Sequence, residues 1–531
     1  MPVILLEHPR PENPNRFEDV VNAPLSACLF TGYIAAVFRK HKIETEIINA
    51  HLYDWSIEQT IVHLSKRLSP LLCVHMVYLW ERTHDVFDML SVIKSKNNRV
   101  HINLYGYYPT FAHKKILTDF PSIDSVTIGE PEFISLDLAR CILSQRGILH
   151  SPSPEDISYS PFFRGGIRGI DGLARRDKSG EVIFHPRHPI QEIDQLPYPD
   201  RQDIELYKKK NIATYIQGSR GCYGRCTFCY LNPFYGQISQ WRSRSVKNIV
   251  DEMLILHREY SIGNFYFSDA NFFGPGKSGR ERAITLAELI LINDLNIHFG
   301  FECRVNDIEE YSLSRLVMAG LTKVFLGLES GDPESLKRIK KHTTVDENKK
   351  AIQLLRDYGI EPTFGFIMFE PHSTLESVRN NFEFLKEVEI MTSPAVTAHL
   401  LHHRQTLFEG TPDYQSVMHE TSNPHTSFTR YEALYKIQDQ KIEAFSEIIT
   451  AVCRAALSFI PKDFDCDGTK TSNTTVKSSS FDTVNNELIT LFEKTLSGFE
   501  AHTIDYYNSD KVKEVSQKLI SEIEANMQSS S

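Results

Sequence analysis

Over the first 146 residues, short apolar runs of strand length alternate with amphipathic stretches of helical period. The pattern predicts strands at 3–6, 44–48, 71–77, 100–104 and 125–128, and helices at 25–40, 57–67, 83–96, 110–117 and 132–143. Five β-α units in this order predict a doubly wound parallel sheet that binds its ligand outside the carboxyl ends of the strands. Three of those ends carry irregular segments: His8-Pro9-Arg10-Pro11-Glu12-Asn13-Pro14, Gly106-Tyr107-Tyr108-Pro109 and Gly129-Glu130-Pro131-Glu132. From 147 to 210 the composition shifts to Pro, Gly, Ser and charge. Two short strands are expected there around the Asp177-Lys178-Ser179-Gly180 turn, followed by a connecting strap at 194–200.

A second β-α series follows, with strands predicted at 213–217, 264–267, 297–301, 323–328, 363–369 and 395–401. Thr344-Val345-Asp346-Glu347 and Ser373-Thr374-Leu375-Glu376 read as capping boxes, and Asp332-Pro333 places a capping carboxylate before a proline at a helix start. Six such units predict a partial (βα)6 TIM-like barrel with reactive side chains at the carboxyl ends of its strands. Past 427 the pattern is helical: 431–460 carries Leu434, Ile437, Ile442, Phe445, Ile448 and Ile449 at helical spacing, and 485–527 reads as two more helices. The polar stretch 461–480 reads as a flexible loop. The expected fold is therefore α/β in three parts, with units at 1–146, 211–415 and 416–531 and a linker at 147–210.

Composition narrows the function. The 531 residues exceed one core, no run of eighteen apolar residues predicts a membrane span, and the N-terminus lacks a basic flank and a cleavable apolar segment. A soluble cytoplasmic protein is expected. Net charge is −10 without a basic stripe, which argues against a nucleic-acid substrate. Nine cysteines are present, and the six scattered singly suit buried free thiols in a reducing compartment.

The other three lie together in Gly218-Ser219-Arg220-Gly221-Cys222-Tyr223-Gly224-Arg225-Cys226-Thr227-Phe228-Cys229-Tyr230, directly after an apolar run. Thiolates are soft ligands for iron–sulfur clusters, zinc or copper, and a glycine-bearing loop can turn Cys222, Cys226 and Cys229 toward one centre. Zinc asks for a fourth ligand, and no second C-x2-C or H-x3-H pair follows at finger-like spacing. Three thiolates on a four-iron cube leave one iron open to a reacting molecule.

The spacing C-x3-C-x2-C, with Phe228 before the last cysteine, resembles the radical S-adenosylmethionine superfamily. The resemblance implies a [4Fe-4S] cluster on Cys222, Cys226 and Cys229 whose open iron is chelated by S-adenosyl-L-methionine, and reductive cleavage to a deoxyadenosyl radical. The first half resembles the cobalamin (B12)-binding domain of one branch of that superfamily. It does so through the Pro-rich first loop, the turn at Gly106 and the G-E-x-E element that begins Gly129-Glu130. The D-x-H-x-x-G motif of histidine-ligated cobalamin is absent, and His8 stands at a comparable strand end without that pattern. Ser268-Asp269-Ala270-Asn271-Phe272 resembles the branch's D-x-N-F element, and Asp269 is the candidate acceptor for the methionyl amine. Glu302 and Arg304, two apart on a strand, can both point into the barrel and suit the ribose hydroxyls and the methionyl carboxylate. Glu329 in Gly327-Leu328-Glu329-Ser330-Gly331 is expected to turn inward, while Cys303 reads as an inert buried thiol. The implied activity is methylation of an unactivated carbon or phosphorus in a small molecule, lipid or peptide, fed by a donor such as flavodoxin or ferredoxin. Ring formation, rearrangement or oxidation without methyl transfer, or a radical enzyme without cobalamin, are the alternatives.

Overall fold

A computed structural model describes residues 1–10, 29–67, 69–76, 83–148, 166–210, 212–236, 241–420, 425–426, 433–458 and 478–530 of the chain. The first five strands are β1 (Val3–Glu7), β2 (Thr45–Asn49), β3 (Leu71–His75), β4 (His101–Tyr105) and β5 (Ser125–Thr127). They pair in parallel in the order β2-β1-β3-β4-β5. Both faces are covered. Val3, Leu5, Leu71 and Cys73 pack under α1 (Phe30–Lys40) and α5 (Glu132–Gln145), while Ile4, Leu6, Leu72 and Val74 pack under α2 (Ile57–Ser65), α3 (Thr83–Lys96) and α4 (Tyr107–Asp119). Burial on both sides is why these strands read as continuous apolar runs.

The expected hairpin does not stand apart in the linker. Its strands β6 (Leu173–Arg176) and β7 (Val182–Ile183) add antiparallel to β5 and complete a seven-stranded sheet. Leu173 and Ala174 are buried, so docking removes apolar surface and covers an otherwise open strand edge.

The second sheet is parallel and five-stranded: β8 (Thr214–Ile216), then, after a two-stranded ribbon of β9 (Ser219–Arg220) and β10 (Arg242–Ser243), β11 (Asn264–Phe267), β12 (His298–Arg304), β13 (Leu321–Glu329) and β14 (Thr363–Phe366). Phe265, Phe267, Phe299, Phe301, Val324, Leu326 and Leu328 point outward into the helix-covered core. The period of two therefore puts Tyr266, Glu302, Arg304, Phe325 and Glu329 on the inner face. The sixth expected strand, 395–401, is instead the helix Pro394–His402. Ser393 caps it, Pro394 occupies its first turn, and the alanines and leucines that follow are strong helix formers. A short apolar run does not distinguish the two states by period alone. The sixth barrel position is marked by a single parallel bridge between Phe369 and Arg404. Thr344 with Glu347 forms the expected capping box and Asp332 caps with Pro333 in the first turn, but the next box sits one residue later, on Thr374 and Ser377.

Helices Gln440–Ser458, Ser478–Glu500 and Ser509–Ser530 pack on the barrel. Arg379 from Leu375–Glu387 binds Glu493 and Glu500, each at 2.7 Å, and Phe382 meets Phe492 at 4.7 Å. The expected flexible loop lies outside the described residues except for 478–480. Among the described residues no helix is long and apolar enough to cross a membrane.

A buried ion cluster joins the two sheets. The guanidinium of Arg220, at the end of β9, donates to Glu132 at 2.6 and 3.2 Å and to Glu130 at 3.0 Å, and its Nε donates to Gln217 at 2.8 Å. Arg242 of the paired strand donates to the other oxygen of Glu130 at 3.0 Å. All four charged groups are more than nine-tenths buried. Arg220→Met would take from Glu132 the arginine it binds in the cluster and leave Glu130 with Arg242 alone, and removal of one member of a buried pair costs about 3–5 kcal/mol. The urea midpoint of the variant is expected to fall accordingly, and an unchanged midpoint would refute the clamp.

Candidate active site

The cysteine loop runs from β9 and lies across the carboxyl ends of the second sheet. Its entry is held by Asp269, which is fully buried and accepts from the Gly218 amide at 2.6 Å and the Ser219 hydroxyl at 2.7 Å. Its middle is tied where the Thr227 amide donates to the Ile339 carbonyl at 3.0 Å and the Asp413 amide to the Thr227 carbonyl at 3.2 Å. Cys226 is buried; Cys222, Phe228 and Cys229 retain some accessible surface. The three thiols sense one another electrostatically, and burial first, then the neighbouring sulfur of Cys226, pushes the Cys229 thiol up. Burial likewise raises Cys222, against the Gly224 amide that donates to its sulfur at 3.3 Å.

Two cations stand beside these sulfurs. Arg304 Nη1 donates to Cys226 Sγ at 3.5 Å, its Nη2 donates to the Lys341 carbonyl, and its guanidinium lies 5.4 Å from the Tyr223 ring centre. A Cβ at Gly224 would fall 2.6 Å from Arg304 Nη1, so only glycine lets the guanidinium reach the sulfur. Burial would lower the Arg304 and Lys341 pKa values, but the Cys226 sulfur and, for Lys341, the Glu329 carboxylate outweigh it and keep both groups charged. Lys341 Nζ donates to Glu329 at 2.7 Å. Glu329 adopts φ +68°, a conformation uncommon for a side-chain-bearing residue and characteristic of functional sites.

The inner face is otherwise sparing in charge. Among the described residues Glu302 has no side-chain ion pair, and burial, reinforced by the charge of Asp269, raises its pKa to about 7. Asp269 is raised to about 6, by burial working against Arg282 and the loop hydrogen bonds. Tyr266, whose hydroxyl senses Glu302, and Phe325 complete the wall.

The structure thus brings Cys222, Cys226, Cys229, Arg304 and Glu329 together. Glu302 lies on the same face as Arg304 along the strand. Asp269 faces the loop backbone, so it braces the cysteines from beneath and is not presented to a ligand. Glu130 is likewise committed to Arg220, Arg242 and the Ile190 amide, not to a cofactor. Gly106 and Gly129 both have φ in the left-handed range, +119° and +76°, at the first sheet's carboxyl ends. Sequence reasoning missed Lys341, Gly224 and Arg220. The run Lys340-Lys341-His342 reads as surface, whereas the arginine before Gly221-Cys222 was available as a signal.

The residues fit an iron–sulfur cluster: three soft donors on one loop, with two cations beside Cys226 to offset thiolate charge. Among the described residues no three His, Cys, Asp or Glu side chains are arranged to hold a single metal ion. A cubane does not require that, because each thiolate meets a different iron.

Residues 216–385 match the model of the radical SAM superfamily. The matched segment is that of a radical SAM enzyme, a class whose cofactors are a [4Fe-4S] cluster and S-adenosylmethionine. An uncharacterized methyltransferase of Pyrococcus horikoshii is 26% identical over 362 residues, 67% of this chain and 72% of that protein. The anaerobic magnesium-protoporphyrin IX monomethyl ester cyclase of Rubrivivax gelatinosus is 28% identical over 59% of this chain, which spans about half (52%) of that protein's length. The solved structure of the cobalamin-dependent S-adenosylmethionine radical enzyme OxsB, with aqua-cobalamin and S-adenosylmethionine bound, superposes with a TM-score of 0.72 at 19% identity, over 99% of this chain and 80% of that one. The whole chain thus shares that fold, including the first sheet.

The raised carboxyl groups make stability pH-dependent in the absence of cofactors. The folded pKa of Glu302 lies above its ordinary 4.5, so its stabilising contribution is complete below about 4.5 and is lost as pH rises through about 7. Denaturant unfolding of wild type is expected to weaken over that window, and Glu302→Gln to flatten the loss. Equal pH slopes for the two proteins would contradict the placement of Glu302.

Proposed function

We propose that the chain is a cobalamin-dependent radical SAM methyltransferase acting on an unactivated carbon or phosphorus of a small molecule, lipid or peptide. One observation carries this reading: the cysteine loop is clamped between the inner face of the second sheet and the carboxyl ends of the first. Phe234, just past Cys229, stacks on Tyr107 at 4.0 Å and on Phe30 at 6.0 Å, and Arg220, just before Cys222, reaches Glu130 and Glu132. Two binding faces of different folds therefore meet at one loop. The names of the Pyrococcus horikoshii relative and of OxsB support methyl transfer and cobalamin respectively.

When bound, the cluster with S-adenosylmethionine supplies a deoxyadenosyl radical, and a corrinoid supplies the methyl group. Cys222, Cys226 and Cys229 hold the cluster. Arg304 lies where it can pair with the methionyl carboxylate while donating to Cys226, and Lys341 with Glu329 fixes the charge beside it. Glu302 accepts from ribose hydroxyls. Phe228 packs beside the last cysteine, and Tyr266 with Phe325 excludes water from the reacting centre. Gly106 and Gly129 let backbone approach a ligand above the first sheet, while Asp269, Glu130 and Glu132 position the loop. The electron comes from a flavodoxin- or ferredoxin-like donor, and the enzyme works in a reducing cytoplasm.

The Rubrivivax gelatinosus relative keeps ring formation open as a second outcome. Anaerobic assay of the iron-loaded protein with added corrinoid separates the two. Methyl transfer gives a product heavier by one methyl group with S-adenosylhomocysteine; deoxyadenosine without methyl gain sinks the methyltransferase reading. Replacing Cys222, Cys226 or Cys229 by Ala is expected to abolish cluster iron and deoxyadenosine formation together.

A further inference from the structure

The carboxyl ends of β1, β3 and β4 hold a polar group that neither the cysteine loop nor the ion clamp uses. Glu7, His75 and Tyr105 are the last residues of these strands and stand side by side across the sheet. His75 Nδ1 lies 2.7 Å from a Glu7 carboxylate oxygen. Thr31 donates to the same oxygen and shares a 2.7 Å hydrogen bond with the Tyr105 hydroxyl, while Arg10 reaches the other oxygen at 3.3 Å. Burial pushes the Glu7 carboxyl up, but His75, Arg10 and Thr31 outweigh it and hold the pKa at about 2. The carboxylate accepts from Nδ1, and in that tautomer the ring presents Nε2 as a lone pair.

That nitrogen is buried, with His75 only 1% exposed, and among the described residues it has no hydrogen-bond partner. Buried polar atoms are normally satisfied, and an imidazole oriented through its other nitrogen by a carboxylate is the usual arrangement of a metal ligand. The ring is held rigidly, stacked on Tyr105 at 5.0 Å and 9° and edge-on to Phe30 at 6.0 Å. The backbone packs closely against the ring at Gly106, where a Cβ would lie 3.1 Å from His75 Cδ2 and 2.2 Å from the Met76 carbonyl oxygen, so only glycine fits. Phe30 also stacks on Phe234, so His75 is on the side of the sheet that meets the cysteine loop. His8, the histidine that the sequence placed at a comparable strand end, differs: its Nδ1 engages the Pro9 carbonyl at 2.9 Å, and burial holds its pKa at about 3.

We propose that His75 supplies Nε2 as the lower axial ligand to the cobalt of a corrinoid, with Glu7 as the residue that fixes its tautomer. The inference rests on the corrinoid reading of the preceding section. In the Nδ1-H tautomer Nε2 donates its lone pair to cobalt in place of water or the corrinoid's own dimethylbenzimidazole. The ligand thus comes from the third strand, not from the first loop, where the absent D-x-H-x-x-G motif would put it.

The test is the electron paramagnetic resonance spectrum of the full-length protein loaded with cob(II)alamin, prepared with natural histidine and with 15N-histidine. Ligation by His75 predicts superhyperfine triplets that become doublets on labelling, because 15N has half-integer spin. Triplets that persist in labelled protein, indicating dimethylbenzimidazole, overturn the proposal, as does the absence of nitrogen splitting. Failure of corrinoid to remain with the protein on desalting, read from its visible absorption, overturns the underlying cofactor reading as well. Glu7→Gln is expected to weaken corrinoid retention about 10- to 100-fold, the usual cost of losing such a partner.

Discussion

The ion cluster of Arg220, Arg242, Glu130 and Glu132 is the constraint on which the two halves of the molecule depend. Charges this deeply buried are tolerated only as a complete set, since desolvating any one without its partners costs more than a surface pair returns. Two arginines flank the cysteine loop, one before it and one on the paired strand, and both carboxylates come from the first sheet's last loop and α5. Glu132 also begins α5, where the helix N-terminus favours negative charge. The consequence is geometric: the loop cannot shift relative to the first sheet without breaking pairs that water does not reach.

On the other side the loop is held by hydrogen bonds and not by charge. Asp269 takes the Gly218 amide and the Ser219 hydroxyl, and Asp307 takes the hydroxyl of Tyr223 at 2.6 Å and the amide of Asn271 at 2.9 Å. The cations that do approach the sulfurs, Arg304 and Lys341, are oriented by other groups: the Tyr223 ring and the Lys341 carbonyl for Arg304, the Glu329 carboxylate for Lys341. Positive charge is therefore fixed beside Cys226 before any ligand binds, which is what electrostatic preorganisation requires. Glu302, for which the described residues supply no such partner, is raised by burial to about 7.

Much of the architecture was legible because periodicity reports burial directly. Runs such as Leu71 to His75 are apolar because both faces are covered, and the outward phenylalanines of β11 and β12 alternate with inward polar residues because a strand has period two. Caps at Thr344 and Asp332 were readable because they act within one helical turn. The helix at Pro394–His402 was misread because a short apolar run is compatible with either state and only its neighbours decide. The antiparallel addition of β6 and β7 was equally invisible, since which edge a hairpin joins depends on the shape of a sheet formed far away in sequence.

The sequence by itself determined the chemistry that is local: three thiols within eight residues, with glycines that let the loop curve, and a strand spacing that aims Glu302 and Arg304 the same way. Only the tertiary structure decided which charges are free and which are committed. Glu130 and Asp269 look available along the chain but are bound to Arg220, Arg242 and the loop backbone, whereas Lys341 looks like surface and is buried beside a cluster cysteine. The lone pair of His75 and the carboxylate that orients it come from strands 68 residues apart. Pairing across such distances follows from sheet order and burial, and neither is encoded in any local pattern of residues.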